Sequence, residues 1–345
     1  MMKNIIIFIL IIFLFPIFLP AQELPIWSEP EPVMYWDYED SLRHLGAYNF
    51  FISENEQHLF VRWGWEGYYY PRIDTCYGCE DLYVLHKLPD GNWSSPKNLG
   101  ENINNTYCID GMALSPDLKE IYFSQWNPYT GWDLFWSTRE DTSCDTCWAP
   151  AEFFPDSLLI GTGSIHFPTM SKDGLILFLQ GTGPSAILVR DSIDGDWRRS
   201  YDIEFPTGGA TYGFTINAEM DECYFQVNHD IAYRKKVDGE WLPWVNLGEP
   251  ISTSDYLEAS PEISFDGQTL YFFRSYYGVY VSYRLNKINC PLNDNNENVQ
   301  IKINLHTVKI NIDRKYTGMV YFYDVTGRVV YYNMGNNIKI KTDNL

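Results

Sequence analysis

One pattern recurs five times along the chain and constrains its fold more than any other feature. It reads FISENEQHLFV from Phe51, ALSPDLKEIYF from Ala113, TMSKDGLILFL from Thr169, TINAEMDECYF from Thr215 and EISFDGQTLYF from Glu262. Each copy is a short apolar run, a turn carrying Asp, Asn or Glu, and a second apolar run, which is β-hairpin chemistry. A third strand follows each copy: DLYVLHK (81–87), DLFWSTR (133–139), SAILVRD (185–191), IAYRKKV (231–237) and GVYVSYR (278–284). A fourth segment carries Trp27, Trp93, Trp148, Trp197 or Trp241, at spacings of 66, 55, 49 and 44 residues. No stretch has a convincing helical period. Four antiparallel strands repeated around a ring predict an all-β chain built on a five-bladed β-propeller.

The order of the segments adds a second expectation. PIWSEP (25–30) precedes the first hairpin, whereas the last copy ends after its third strand, near Arg284. The blades come out whole only if the N-terminal strand completes the fifth one. That closure ties the two ends of the ring together and leaves no open edge. Trimming residues 23–33 should then destabilise the entire ring.

SPDLKEIYF with DLFWSTR, and DGEWLPWVNLGEPIST followed by SPEISFDGQTLYF, resemble the TolB-like, WD-related propeller repeats of exported bacterial proteins. The resemblance spans roughly residues 23–288; the first and fourth copies depart from it, with SEN and NAE in place of Ser-Pro-Asp. It implies a scaffold for protein or ligand contact, usually without chemistry of its own.

Hydrophobic residues make up 45% of the chain and charged residues 20%, ordinary globular values. The 25 Lys and Arg against 45 Asp and Glu give a net charge of −20, which excludes nucleic acid and anionic lipid surfaces as natural partners. The start has its own logic. Met1-Met2-Lys3-Asn4, an apolar run from Ile5 to Leu19, and Pro20-Ala21 read as a secretory signal peptide over 1–21. The run is short for a bilayer span, so no stable membrane span is expected after cleavage. Secretion or surface display is expected, with the periplasm as the alternative.

Seven cysteines fit an oxidising compartment. Cys76/Cys79 and Cys144/Cys147 form close pairs, best read as local loop disulfides rather than a zinc or redox site; a Cys108 bridge to the 76–79 loop is an alternative. Cys223 lies in an apolar strand and is expected as a buried free thiol.

The propeller is expected over 22–290, a polar linker over 291–298 (PLNDNNEN), and a separate β module over 299–345. In that module VYFYDVTGRVV resembles the C-terminal sorting domain of type IX secretion cargo, a small immunoglobulin-like β-sandwich. The resemblance implies the type IX secretion machinery as a partner. In that family a Gly-x-Tyr strand follows a segment like TDNL, so the sandwich is expected to be truncated or to lack its last strand.

Ligand contact is expected on the face shared by the loops from second to third strand and from Trp strand to the next first strand. Trp36, Trp63, Trp65, Tyr69, Trp126 and Tyr129 collect there, with Trp132 among the other aromatics. Seven residues before each turn acid stand Tyr48, Asp110, His166, Tyr212 and Ala259, positions expected at the mouth of the central channel. Aromatic platforms edged with carboxylates suit sugar rings, and suit cationic peptides as well. The binding candidates are therefore Trp36, Trp63, Trp65, Tyr69, Asp110, Trp126, Tyr129, His166 and Glu258. No metal-ligand spacing, nucleophile elbow or phosphate loop is present, so neither metal nor cofactor is expected. Two functions follow: a non-catalytic propeller binding a glycan or an extracellular protein, or a five-bladed glycoside hydrolase using Asp110 and Glu258 as its carboxylates.

Overall fold

The computed structural model describes residues 24–33, 45–65, 80–105, 107–207, 213–275 and 278–285, and the strand backbones within 299–341. Side chains are described within these ranges except at 45–48, 63–65, 156 and 299–341. Five antiparallel sheets form in chain order, each with its first strand innermost. The inner strands are Leu45–Ile52, Ile109–Leu114, Ile165–Met170, Phe214–Ile216 and Glu258–Ile263. The inner strand of blade 5 packs beside that of blade 1, so the ring is closed.

The closing strand comes from the N-terminus. Ile26 pairs with Leu285 and Trp27 with Arg284; further along, Glu31 pairs with Val281 and Pro32 with Tyr280. The fifth blade therefore mixes both chain ends, as the segment order requires.

The hairpin turn is nearly the same object five times. In Ser53, Ser115, Ser171 and Ser264 the hydroxyl donates to the Asn or Asp two residues on, at 2.6–2.9 Å. Each of those hydroxyls also accepts the backbone N–H five residues on, at 2.9 Å. Asn217 substitutes its amide oxygen for the hydroxyl, accepting Glu222 N at 2.8 Å. The fourth turn residue is left-handed throughout: Glu56, Leu118, Gly174, Met220 and Gly267. Glycine adopts that conformation freely, whereas the other three carry a cost of about 1–2 kcal/mol. Leu118 offsets it by burial in the core and Glu56 by accepting the Tyr271 hydroxyl at 2.6 Å.

The core lies between blades, in one apolar cluster per seam. Phe60 and Leu82 of blade 1 meet Leu114, Phe123 and Trp148 of blade 2, and four equivalent clusters follow around the ring. Strands covered on both faces lose their alternation, and Thr269–Arg274 is buried at every position.

The outermost strands are fragments of two or three residues, such as Lys97–Asn98 and Glu152–Phe153. Short, Pro-interrupted edges discourage pairing with other chains. The tryptophan of each has a fixed partner. Lys87 lies 4.6 Å from the Trp93 ring, Arg139 and Arg190 each 4.4 Å from Trp148 and Trp197, Lys236 5.8 Å from Trp241, and Arg284 5.4 Å from Trp27. Each blade thus carries a cation–π clasp between its third strand and its edge.

Cys144 and Cys147 form a local disulfide. Cys223 is an unpaired, buried thiol, and burial pushes its pKa up. Cys108 is disulfide-bonded, and the expected Cys76/Cys79 pair lies outside the described residues. Beyond the ring, Val299–Ile303, Thr307–Ile312 and Asn337–Lys341 make one antiparallel sheet, and Met319–Tyr323 pairs with Val329–Met334. The expected signal segment and the 291–298 linker lie outside the described residues. Among the described residues, no helix is long and apolar enough to cross a membrane.

Candidate functional site

Four of the inner strands break register near their first residues: between Ala47 and Phe50, Ile109 and Met112, Ile165 and Phe167, and Ala259 and Glu262. A bulge bends a strand and re-aims the side chains within it. Asp110 and His166 sit in two of these bulges, on neighbouring blades. His166 Nδ1 lies 2.8 Å from Asp110 Oδ2. An ionised carboxylate only accepts, so the proton in this contact is carried by Nδ1. The other Asp110 oxygen pairs with Arg62 Nη1, which lies 3.3 Å from Glu80 Oε2 as well.

This approach of two backbones depends on Gly111. A Cβ there would stand 2.4 Å from the His166 carbonyl oxygen, closer than any side chain tolerates. Ser124 locks the contact from the second strand: its hydroxyl accepts Gly111 N at 2.9 Å and donates to His166 O. Glu80, Arg62, Asp110 and His166 thus form a charge-assisted chain across blades 1, 2 and 3.

An aromatic shelf adjoins the chain. Trp132 lies 5.5 Å from the His166 ring, and Trp126 lies 5.6 Å from Trp132, nearly edge-on. Trp126 is 42% exposed and Tyr129, at the tip of the same hairpin, 92%. Trp126 N donates to Cys108 O, tying this hairpin to the loop that enters blade 2. Asp110, His166, Trp126 and Tyr129 therefore gather at one end of the ring.

The remaining candidates fall otherwise. Glu258 is fully buried. Its carboxylate accepts Thr253 N and Oγ1 at 3.2 and 3.0 Å and Arg274 Nε at 3.0 Å. Burial raises its pKa, opposed by the Thr253 and Arg274 contacts. Glu258 is thus enclosed in blade 5 beside the Arg274 charge that a carboxylate in a strand interior needs. Trp63 and Trp65 are placed by backbone only, pairing with Ala47 and Leu45, and their side chains lie outside the described residues, as do Trp36 and Tyr69. Among the described residues no cluster of three or more His, Cys, Asp or Glu could hold a metal.

Along the channel, a cavity of about 30 Å³ is lined by residues of all five blades. At the end opposite Asp110, Lys172 of blade 3 reaches across to Glu262 of blade 5, with Nζ 2.7 Å from Oε1 and 5.0 Å from the Phe265 ring. Both side chains are at most 10% exposed.

Arg62, Glu80, Gly111 and Ser124 were not singled out by sequence. Arg62 had a usable signal: a guanidinium inside the apolar run HLFVRWGW needs a carboxylate partner. Ser124 had none.

No protein-family model matches the chain, and no curated protein matches it. Among solved structures, the chain is similar to the periplasmic gluconolactonase of Pseudomonas aeruginosa at 11% identity, over 85% of this chain and 88% of that one, with a TM-score of 0.39. It is similar to a putative 6-phosphogluconolactonase from Bacteroides uniformis at 16% identity over the same shares, with a TM-score of 0.37. A sialidase of Trypanosoma rangeli matches at 9% identity, over 75% of this chain and 60% of that one, with a TM-score of 0.40. Likenesses of this size carry nothing about activity or ligand; the propeller is read from its own strand pairing.

Proposed function

We propose that this chain is an exported, non-catalytic β-propeller that binds a glycan across its Trp126–Trp132–His166–Asp110 face. The observation that carries the reading is the exposed tryptophan shelf running into a hydrogen-bonded acid–imidazole pair. A sugar ring lays its C–H face on indole while its hydroxyls bond to carboxylate and imidazole nitrogen. The segment 1–21 and the sorting-like tail support export, and the TolB-like repeats support a scaffold role. In this reading residues 299–345 form an immunoglobulin-like module that addresses the protein to type IX secretion.

A glycoside hydrolase is the second reading, favoured by the His166 imidazole, which Asp110 orients through Nδ1 as it would a general base. Against it stands the enclosure of Glu258. One experiment separates them: a glycan-array screen of the full chain beside Trp126→Ala, with a sugar-release assay on each hit. Binding that the variant loses, without sugar release, supports the lectin-like reading. Released sugar supports the hydrolase. Silence in both moves the face to a protein partner.

A further inference from the structure

A second feature adjoins the glycan face and is not accounted for by it. Between blades 2 and 3 lies a cavity of about 320 Å³. That is at the lower end of the roughly 300–1,000 Å³ of small-molecule sites. Its floor is Leu134, Phe154 and Ile165, none more than 3% exposed. Trp132 makes one wall, and at the rim stand Phe153 and Ile160, 56% and 72% exposed. The cavity's lining side chains are mostly apolar and polar atoms share the surface they expose, which suits an amphipathic occupant.

The walls are built. Arg199 Nη1 donates to Ile160 O at 2.6 Å, and Thr162 Oγ1 to Leu159 O at 2.7 Å, fixing the loop that carries the rim. Among the described residues, the only charged one in the lining is Asp133. Its Oδ2 accepts the Thr130 hydroxyl, and Oδ1 has no hydrogen bond among the described residues. A carboxylate at the rim, on a chain of net charge −20, selects against a fatty acid and for an apolar group carried on a hydroxyl-bearing body. Trp132 belongs to both places: it contacts His166 at the face and lines the cavity.

We infer that the cavity takes the apolar aglycone or acyl group of an amphipathic glycoside, whose sugar lies on the Trp126–Trp132 shelf. This rests on the glycan reading and narrows its ligand class. Asp133 meets the first hydroxyls beyond the apolar group, and Trp132 packs against the junction.

The test is calorimetric titration of the full chain with methyl and n-octyl β-D-glucopyranoside, the latter below its micellar concentration. The octyl compound is expected to bind at one site at least about 30-fold tighter than the methyl compound, the equivalent of fully burying about three of its carbons. Phe153→Ser and Ile160→Asp alter exposed side chains and should erase that increment. Their methyl-glucoside affinity and array profile should stay as in the parent. Equal affinities for the two compounds overturn the inference, as does an octyl increment that survives both variants. Array hits without an octyl increment leave the glycan reading standing and remove this inference alone. Octyl binding lost in the variants, with a silent array and no glucosyl contribution, overturns the glycoside class together with the face.

Discussion

Trp27→Ala tests whether the N-terminal strand holds the ring shut. Trp27 is 3% exposed and packs with Tyr224, Tyr233, Leu270 and Phe272 in the seam between blades 4 and 5. Its ring meets Tyr224 edge-on at 6.0 Å, and the Arg284 guanidinium lies 5.4 Å from its centroid. Truncating a fully packed tryptophan costs about 3–5 kcal/mol, the lost cation–π contact included. Against a total stability of about 5–15 kcal/mol, that raises the unfolded fraction by about two to four orders of magnitude. Trp27→Phe separates packing from hydrogen bonding. Trp27 Nε1 is buried without a partner, so phenylalanine loses some volume but also removes an unpaired donor. The two effects offset, and about 1 kcal/mol of destabilisation is expected. The assay is urea unfolding by circular dichroism, run beside alkylation of Cys223 followed by mass spectrometry, since that thiol is 0% exposed and unpaired. A Trp27→Ala variant within about 1 kcal/mol of the parent refutes the closure argument. A Trp27→Phe variant as unstable as the alanine one refutes the offset between lost volume and the removed unpaired donor.

Ser115→Ala and Ser264→Ala remove equivalent turn hydroxyls, each holding one backbone N–H at 2.9 Å and one aspartate at 2.6 Å. Each should cost about 1–2 kcal/mol in urea unfolding, and the double variant should cost their sum. Arg190→Met strips a buried guanidinium from Gly174 O at 2.8 Å, Glu120 at 2.7 Å and the Trp197 face, and should cost about 3–5 kcal/mol. Adding Glu120→Met should recover part of that loss in the same assay, because the carboxylate is no longer left without its cation. Glu222 governs acid behaviour. Burial raises its pKa, but Arg284, Tyr233 and Lys235 outweigh burial and hold the carboxyl below its ordinary 4.5. Its contribution is therefore complete above about pH 4.5 and is lost as the pH falls through the lower folded value. Thermal melts from pH 6 to 3 should show Glu222→Gln less stable at pH 6, with the gap closing toward pH 3; a gap independent of pH contradicts this assignment.

Much of the ring was legible because its signals are local. The Ser-x-Asp turns recur because one hydroxyl and one carboxylate must satisfy the same few backbone groups at every hairpin. Trp27 and the strand ending at Arg284 revealed closure by simple position in the chain. The cation–π clasps were present in the same strings, as a Lys or Arg ending each third strand and a tryptophan in each fourth, yet their pairing was not read. Of the aromatic-rich face, Trp126 and Tyr129 stand open, and the side chains of Trp36, Trp63, Trp65 and Tyr69 lie outside the described residues.

Sequence by itself determined the five-fold hairpin count, the closing strand and the inert Cys223, since each depends on neighbours within a blade or on strand order. Tertiary structure alone decided the site. Arg62 meets Asp110 across 48 residues, His166 meets Asp110 across 56, and Lys172 meets Glu262 across 90. The same packing pairs both oxygens of the partly exposed Asp110 with Arg62 and His166 and encloses Glu258 beside Arg274. No periodicity encodes such pairs, because a charge is stabilised by whatever the neighbouring blade brings within a few ångströms of it, and that distance exists only once the ring has closed.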